Sequence, residues 1–79
     1  MVILMEVNNQ IKLFYKNFIK YGLDKNNKLN LDEITDKVID NLSLSKKDKN
    51  YYIHNCIKML SENNFELISF YPLKIKKQD

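Results

Sequence analysis

The sequence predicts a mostly α-helical domain of the α+β class, in which three helices are followed by a short β element. Apolar residues recur at the three- and four-residue spacings of a helix face through residues 8–64. Residues 65–77 change to β-branched and aromatic residues, and lysines alternate with apolar residues near their end. The 79 residues suffice for a single domain with one modest core, and no repeat or Gly/Ser-rich linker divides them.

The first helix is predicted from its apolar face. Asn8 or Asn9 is available as the N-cap, and Gly22 provides the stop. Residues 1–7, MVILMEV, have the composition of a strand, but they would equally extend the helix by two turns. As a strand, they would pair with the C-terminal β element or with a second copy of the chain in a dimer. The apolar face consists of Ile11, Phe14, Tyr15, Phe18 and Ile19.

The second and third helices carry their own start and stop signals. Asn30 and Glu33 have the spacing of a capping box, which predicts a second helix from there to about Asn41. Ser45 and Asp48 repeat a cap signature before a third helix that ends at residues 63–64, two asparagines that tolerate a left-handed stop. The apolar faces are Ile34, Val38 and Leu42 in the second helix, and Tyr52, Ile53, Cys56, Ile57 and Leu60 in the third.

The C-terminal segment FELISFYPLKIKK predicts either one strand or a loose hairpin that turns near Tyr71 and Pro72. The order helix, extended link, helix, turn, helix and β-hairpin is that of a winged helix-turn-helix domain. We therefore predict a winged-helix-like arrangement.

Composition and charge limit the classes of function. The net charge is +3, and all 13 basic residues are lysines. Bidentate recognition of guanine edges and phosphates is mainly an arginine property, so any nucleic-acid contact would rest on point charges. Abundant lysine and asparagine are also what an AT-rich coding sequence produces. A single cysteine and an opening segment without signal-peptide or membrane-span character predict a reducing, cytoplasmic setting.

The stretch GLDKNNKLNLDEI, residues 22–34, invites comparison with a calcium-binding EF-hand loop. Setting Glu33 as the twelfth position leaves Gly22, which has no side-chain oxygen, as the first. Starting instead at Asp24 places Thr35 where the bidentate glutamate belongs. We predict no metal site and interpret the stretch as a turn followed by a cap, with a degenerate calcium loop at 22–33 as a minor alternative.

The residue types present give little support for catalysis. His54 and Cys56 are too few for a four-ligand zinc site, and no base with an orienting third group is evident. One glycine excludes a Gly-rich phosphate loop. The sequence therefore predicts a protein that is not an enzyme and that has no cofactor or small-molecule substrate.

A basic surface is the remaining candidate. If the third helix buries its apolar face, its outer face and the β element present residue types that contact phosphates and base edges. The ordinary alternative is a solvated helix with a basic tail. The predicted nucleic-acid-binding residues are Lys47, Asn50, Tyr51, His54, Lys58, Lys74, Lys76 and Lys77.

The spacing of the core residues resembles the N-terminal autoinhibitory region (region 1.1) of bacterial primary sigma factors, over about residues 11–69. In that family a helix leads through a glycine into a short L-T-x-x-E-I entry to a second helix, followed by a third helix and a short strand. The matching residues are Ile11 to Gly22, LNLDEI at Leu29 to Ile34, Leu42, Ile53, Ile57, Met59, Leu60, and FELIS at Phe65 to Ser69.

The resemblance implies a module that gates access of DNA to RNA polymerase. The family region is typically acidic, whereas this chain is basic, which favours direct contact with nucleic acid. We therefore expect a transcription-associated module that binds RNA polymerase or, weakly, DNA. A protein-interaction or inhibitor module, encoded by a phage or mobile element, is the alternative, and exposed aromatic residues among Tyr51, Phe70 and Tyr71 would favour it.

Overall fold

The computed structural model describes the backbone of residues 2–78 and the side chains of residues 9–78. Three helices and a two-stranded antiparallel sheet make up the fold, which confirms the mostly helical α+β class. The elements are α1 (Val2–Leu23), α2 (Leu31–Leu42), a 3₁₀ turn (Lys46–Asp48), α3 (Lys49–Glu62), β1 (Phe65–Phe70) and β2 (Leu73–Lys77).

Helix α1 is longer than the helix predicted from its apolar face. It begins at Val2, so residues 2–7 are helical and the strand alternative for this segment is wrong. Pairing of this segment with the C-terminal β element or with a second copy of the chain belonged to the strand alternative, and residues 2–7 form no strand. At the other end, the helix runs one residue past Gly22 and stops at Leu23.

Helix α2 begins as its capping signal predicts. The backbone N–H of Glu33 donates to Asn30 Oδ1 at 2.9 Å, and the backbone N–H of Asn30 donates to Glu33 Oε1 at 3.1 Å. This capping box fixes the first turn, and the helix ends at Ser43 in a left-handed conformation. The predicted capping box is confirmed.

The connection to α3 differs from the prediction. Ser45 Oγ accepts from the backbone N–H of Lys47 at 3.3 Å and thereby caps only a single 3₁₀ turn. Helix α3 starts after it at Lys49, and Asp48 at its N-cap makes no capping hydrogen bond with its side chain. The other end follows the prediction, because Asn64 is left-handed with φ 63°.

The β element is the hairpin, not a single strand. Strands β1 and β2 pair antiparallel, with Leu67 opposite Ile75 and Glu66 opposite Lys76, and a bulge lies between Leu67 and Ser69. The chain turns at Tyr71 and Pro72, as one of the two alternatives required.

The core forms where α1 contacts the other elements. Phe14 and Phe18 of α1 are fully buried, and the Phe14 ring stacks on Tyr52 of α3 at a centroid distance of 5.4 Å. The link before α2 also meets the hairpin, since the backbone N–H of Leu73 donates to the carbonyl of Leu29 at 2.9 Å. The buried apolar residues are Ile11, Phe14, Tyr15, Phe18, Ile34, Val38, Ile39, Tyr52, Cys56, Leu60, Leu73 and Ile75.

Gly22 allows β2 to approach α1 closely. A Cβ at this position would overlap with Ile75 Cδ1 and would lie 2.6 Å from Ile75 Cγ1 and 3.0 Å from Ile75 Cβ. Alanine favours a helix over glycine by about 1 kcal/mol, yet overpacking costs about 1–3 kcal/mol. We expect Gly22→Ala to lower the free energy of unfolding by about 1–2 kcal/mol, measured by urea denaturation.

The same substitution in an Ile75→Ala background provides the control. Removing Cδ1 and Cγ1 of Ile75 relieves the two shortest contacts and leaves only its Cβ, at 3.0 Å, so Gly22→Ala should then cost clearly less stability. An equal loss of stability in both backgrounds would contradict the steric explanation.

Candidate binding surface

The outer side of α3 carries half of the predicted surface. The residues of this outer stripe follow one another at spacings of four, three and four residues, and all are exposed. The opposite side of the helix carries the buried residues Tyr52, Cys56 and Leu60, so packing of the core directs the outer stripe towards solvent. Asn50, next to it, is exposed as well. The outer stripe consists of Tyr51, His54 and Lys58 of α3 and of Lys47 in the preceding 3₁₀ turn.

Lys49, which was not among the predicted residues, joins α3 to α2. Its Nζ lies 3.0 Å from Asp36 Oδ1 and 3.6 Å from Asp32 Oδ1. The hydrogen bond to Asp36 is the main cause that raises the pKa of Lys49, partly opposed by burial. The ammonium group therefore holds the start of α3 against α2 and is not part of the outer stripe.

The lysines of β2 differ in their surroundings. Lys76 and Lys77 are exposed, as expected for a basic surface. Lys74 turns back to the loop between α1 and α2, where its Nζ donates to three backbone carbonyls: Asp24 at 3.2 Å, Lys25 at 3.1 Å and Asn27 at 2.6 Å. This correction to the predicted surface has a simple cause, because charge-assisted bonds to converging carbonyls outcompete solvation of the ammonium group. We leave Lys74 out of the candidate surface.

The loop between α1 and α2 engages its oxygens internally. Asp24 Oδ1 accepts from the backbone N–H of Asn26, while Asn30 and Glu33 are used in the capping box. Among residues 2–78, positive φ values of non-glycine residues occur at Ser43 and Asn64, so the loop lacks the left-handed sixth residue of a calcium loop. The geometry favours a turn and a cap that are closed around a lysine ammonium group.

Asn27 anchors this loop to the hairpin. Its side chain is buried, with Nδ2 donating to the carbonyls of Leu73 at 3.0 Å and Leu29 at 3.3 Å. Its Oδ1 accepts from the backbone N–H of Leu29 at 3.0 Å. The sequence predicted only a turn in this part of residues 22–34, and the apolar Leu29, two residues after Asn27, was the signal that the loop returns to the core.

Cys56 and His54, which were considered for catalysis or metal binding, occupy different environments. Cys56 is a buried free thiol, and burial raises its pKa above the ordinary value. A buried thiol with a raised pKa is a poor nucleophile. His54 lies exposed on the outer stripe. Within the part of the chain whose side chains are described, no group of three or more His, Cys, Asp or Glu is arranged to hold a metal ion.

Charge is distributed unevenly between the helices. Helix α2 exposes four carboxylates, Asp32, Glu33, Asp36 and Asp40, against the single Lys37, which gives it a net charge of −3. Because the whole chain carries +3, the remainder carries +6. The first helix of the predicted helix-turn-helix is thus acidic, whereas the outer stripe and β2 are basic.

The end of the hairpin is apolar and exposed. Ile68, Phe70 and Tyr71 are 55%, 40% and 73% exposed, and the rings of Phe70 and Tyr71 meet edge to face. Ile68 lies at the bulge in the pairing of β1 and β2. Aromatic residues that are exposed together are typical of protein-binding surfaces.

Comparisons of this chain with protein-family models, with curated proteins and with solved structures find no match. None of the helices in the described residues 2–78 has the length and apolar character that a bilayer crossing requires. The chain is a small, mostly helical α+β domain whose outer stripe is exposed.

Proposed function

We propose that this chain is a non-enzymatic, winged-helix-like module of the transcription apparatus that binds DNA weakly through the outer stripe and through Lys76 and Lys77 of β2. The observation that carries the proposal is the exposure of Tyr51, His54 and Lys58 on the side of α3 opposite its buried face, with Lys47 exposed in the 3₁₀ turn before the helix. A helix with basic, aromatic and imidazole side chains on its free side has the groups that contact phosphates and base edges.

The position of the hairpin supports the winged-helix part of the proposal. The hydrogen bond from Leu73 to Leu29 joins β2 to the extended link between α1 and α2. In a winged helix the hairpin follows the recognition helix and supplies additional backbone contacts to DNA. Lys76 and Lys77 are exposed on the corresponding strand here.

The charges predict weak binding. Four lysines are available on this surface, namely Lys47, Lys58, Lys76 and Lys77. If all four neutralise phosphates, log K should fall with log salt with a slope of about −3.6. The acidic α2 opposes the approach of a phosphate backbone, because its first turn exposes Asp32 and Glu33.

We expect a duplex to shift the amide resonances of the outer stripe in the 15N-labelled chain at low salt, with affinity that declines at the slope given above. Replacing Lys47 and Lys58 by Ala should reduce the slope by about 2, since each phosphate contact contributes about 0.9. The matched control is Lys25→Ala with Lys37→Ala, which removes two exposed lysines elsewhere. A duplex that causes no shifts at low salt, or an equal loss in the control, would sink the proposal.

Binding to RNA polymerase or to another protein is the second candidate. It is favoured by the net −3 of α2 and by the exposed Ile68, Phe70 and Tyr71, and it is the function implied by the resemblance to the sigma-factor region. It predicts that purified core RNA polymerase retains the chain on a column and that Phe70→Ser with Tyr71→Ser abolishes retention. If the unaltered chain does not bind the core enzyme, the hypothesis of RNA polymerase binding is wrong.

A further inference from the structure

An open pocket of about 270 Å³ lies beside the start of α3 and shares Tyr51 with the outer stripe. It is lined by Gln10 of α1, Asp48 of the 3₁₀ turn, and Tyr51 and Tyr52 of α3. Sites for whole small molecules have volumes of roughly 300–1,000 Å³. The pocket is therefore of a size for one side chain or head group.

The two tyrosines form an aromatic corner in this pocket. Their rings meet at 63° with centroids 6.3 Å apart. Tyr52 is fixed in place because its ring stacks on the buried Phe14, whereas Tyr51 is 50% exposed. Aromatic rings attract an organic cation that comes within about 6 Å of their centroids, because the ring faces are negative.

Among the described residues that line the pocket, Asp48 alone carries a formal charge, on its carboxylate. Although Asp48 occupies the N-cap of α3, its side chain makes no capping hydrogen bond and so its oxygens are not engaged by the first turn. Its charge acts on the pocket, since burial first and the charge of Asp48 second raise the pKa of Tyr52. Gln10 Oε1, which lies 3.4 Å from the Tyr52 hydroxyl, adds a second oxygen acceptor.

We propose that this pocket binds the guanidinium group of an arginine side chain presented by a protein partner. A guanidinium is planar and stacks on tyrosine, and its N–H groups donate to the carboxylate of Asp48 and the amide oxygen of Gln10. None of the 79 residues is an arginine, so none of them supplies the group. A nucleic-acid phosphate is excluded as the occupant because Asp48 would repel it.

Titration of the 15N-labelled full chain with N-acetyl-arginine methylamide, at constant ionic strength, tests the proposal. We expect saturable shifts of the Asp48, Tyr51 and Tyr52 amides and of the Gln10 side-chain amide. An arginine-containing peptide should bind at least as tightly as this compound, and tetramethylammonium, which has no N–H donors, should bind several-fold more weakly. Shifts that do not saturate, or equal affinity for tetramethylammonium, would overturn the assignment of a guanidinium. An arginine-containing peptide that binds more weakly than the free compound would overturn the protein source of the group.

Variants identify the groups that bind. Asp48→Asn should weaken binding at least fivefold, and Tyr51→Ala, at an exposed position, should do the same without disturbing the core. Glu62→Gln removes an exposed carboxylate at the other end of α3 and should leave the affinity unchanged. An Asp48→Asn chain with unaltered affinity contradicts the proposal. Because Asp48→Asn does not remove a lysine, its DNA affinity should not fall, which keeps this test separate from that of DNA binding.

Discussion

Replacing Phe14 by Ala should unfold most of the molecule under mild denaturing conditions. Phe14 is fully buried and its ring contacts both Phe18, at a centroid distance of 5.9 Å, and Tyr52, at 5.4 Å. Loss of a buried phenylalanine costs about 3–5 kcal/mol, because the apolar contact is lost and a cavity remains. The total stability of a domain of this size is roughly 4–12 kcal/mol. Urea denaturation, monitored by circular dichroism, measures the free energy of unfolding of the variant and of the unaltered chain.

Leu13→Ala is the matched control for this experiment. Leu13 is the adjacent residue of α1 but is 47% exposed, and alanine is the better helix former. Its replacement should change the free energy of unfolding by less than about 1 kcal/mol. If the two variants were equally destabilised, Phe14 would not be at the centre of the core.

Replacing Asn27 by Ala should destabilise the fold by about 2–4 kcal/mol, because it leaves two backbone groups without their partners. The backbone N–H of Leu29 loses the Oδ1 acceptor, and the buried carbonyl of Leu73 loses the Nδ2 donor. Asn27→Asp keeps an oxygen acceptor but places a carboxylate against two carbonyls, so it should destabilise at least as much as alanine at neutral pH.

The neighbouring Asn26 provides the comparison for Asn27. It is exposed, and its hydrogen bond to Asp24 uses the backbone N–H, which alanine retains. Asn26→Ala should therefore stay within about 0.5 kcal/mol of the unaltered chain. Amide exchange at Leu73 adds a local measurement, and unaltered protection of that amide in Asn27→Ala would contradict the anchoring role.

Local patterns predicted the three helices and left the β element open between a single strand and a hairpin. The face of α1, the capping box of Asn30 and Glu33, and the left-handed Asn64 depend on residues within a few positions of one another. Ser45 and Asp48 show the limit of such signals, because the same spacing also fits a 3₁₀ turn. Residues 2–7 show another limit, since a short apolar run fits a strand or a helix equally well.

The exposed face of α3 could be predicted from the sequence, because the apolar residues of its buried face determine which residues point to solvent. The orientation of Lys74 was not predictable, because strand alternation indicates a side of the sheet and not a group of carbonyls 47 to 50 residues away. Only part of the pocket could be predicted from the sequence. Asp48, Tyr51 and Tyr52 have the i, i+3, i+4 spacing of neighbours on a helix, but Gln10 reaches them through the packing of α1 on α3.

The bond between Lys74 and the loop has a consequence for how the molecule opens. In many loops rich in Asp and Asn, a dissolved ion gathers the carbonyls, and the loop orders when the ion binds. Here the positive charge that binds the carbonyls is the ammonium group of Lys74 in β2, so the order of the loop depends on the hairpin and not on a dissolved ion. Together with Asn27, it makes two segments distant in sequence into one cooperative unit, whose amides should exchange with solvent through a shared opening.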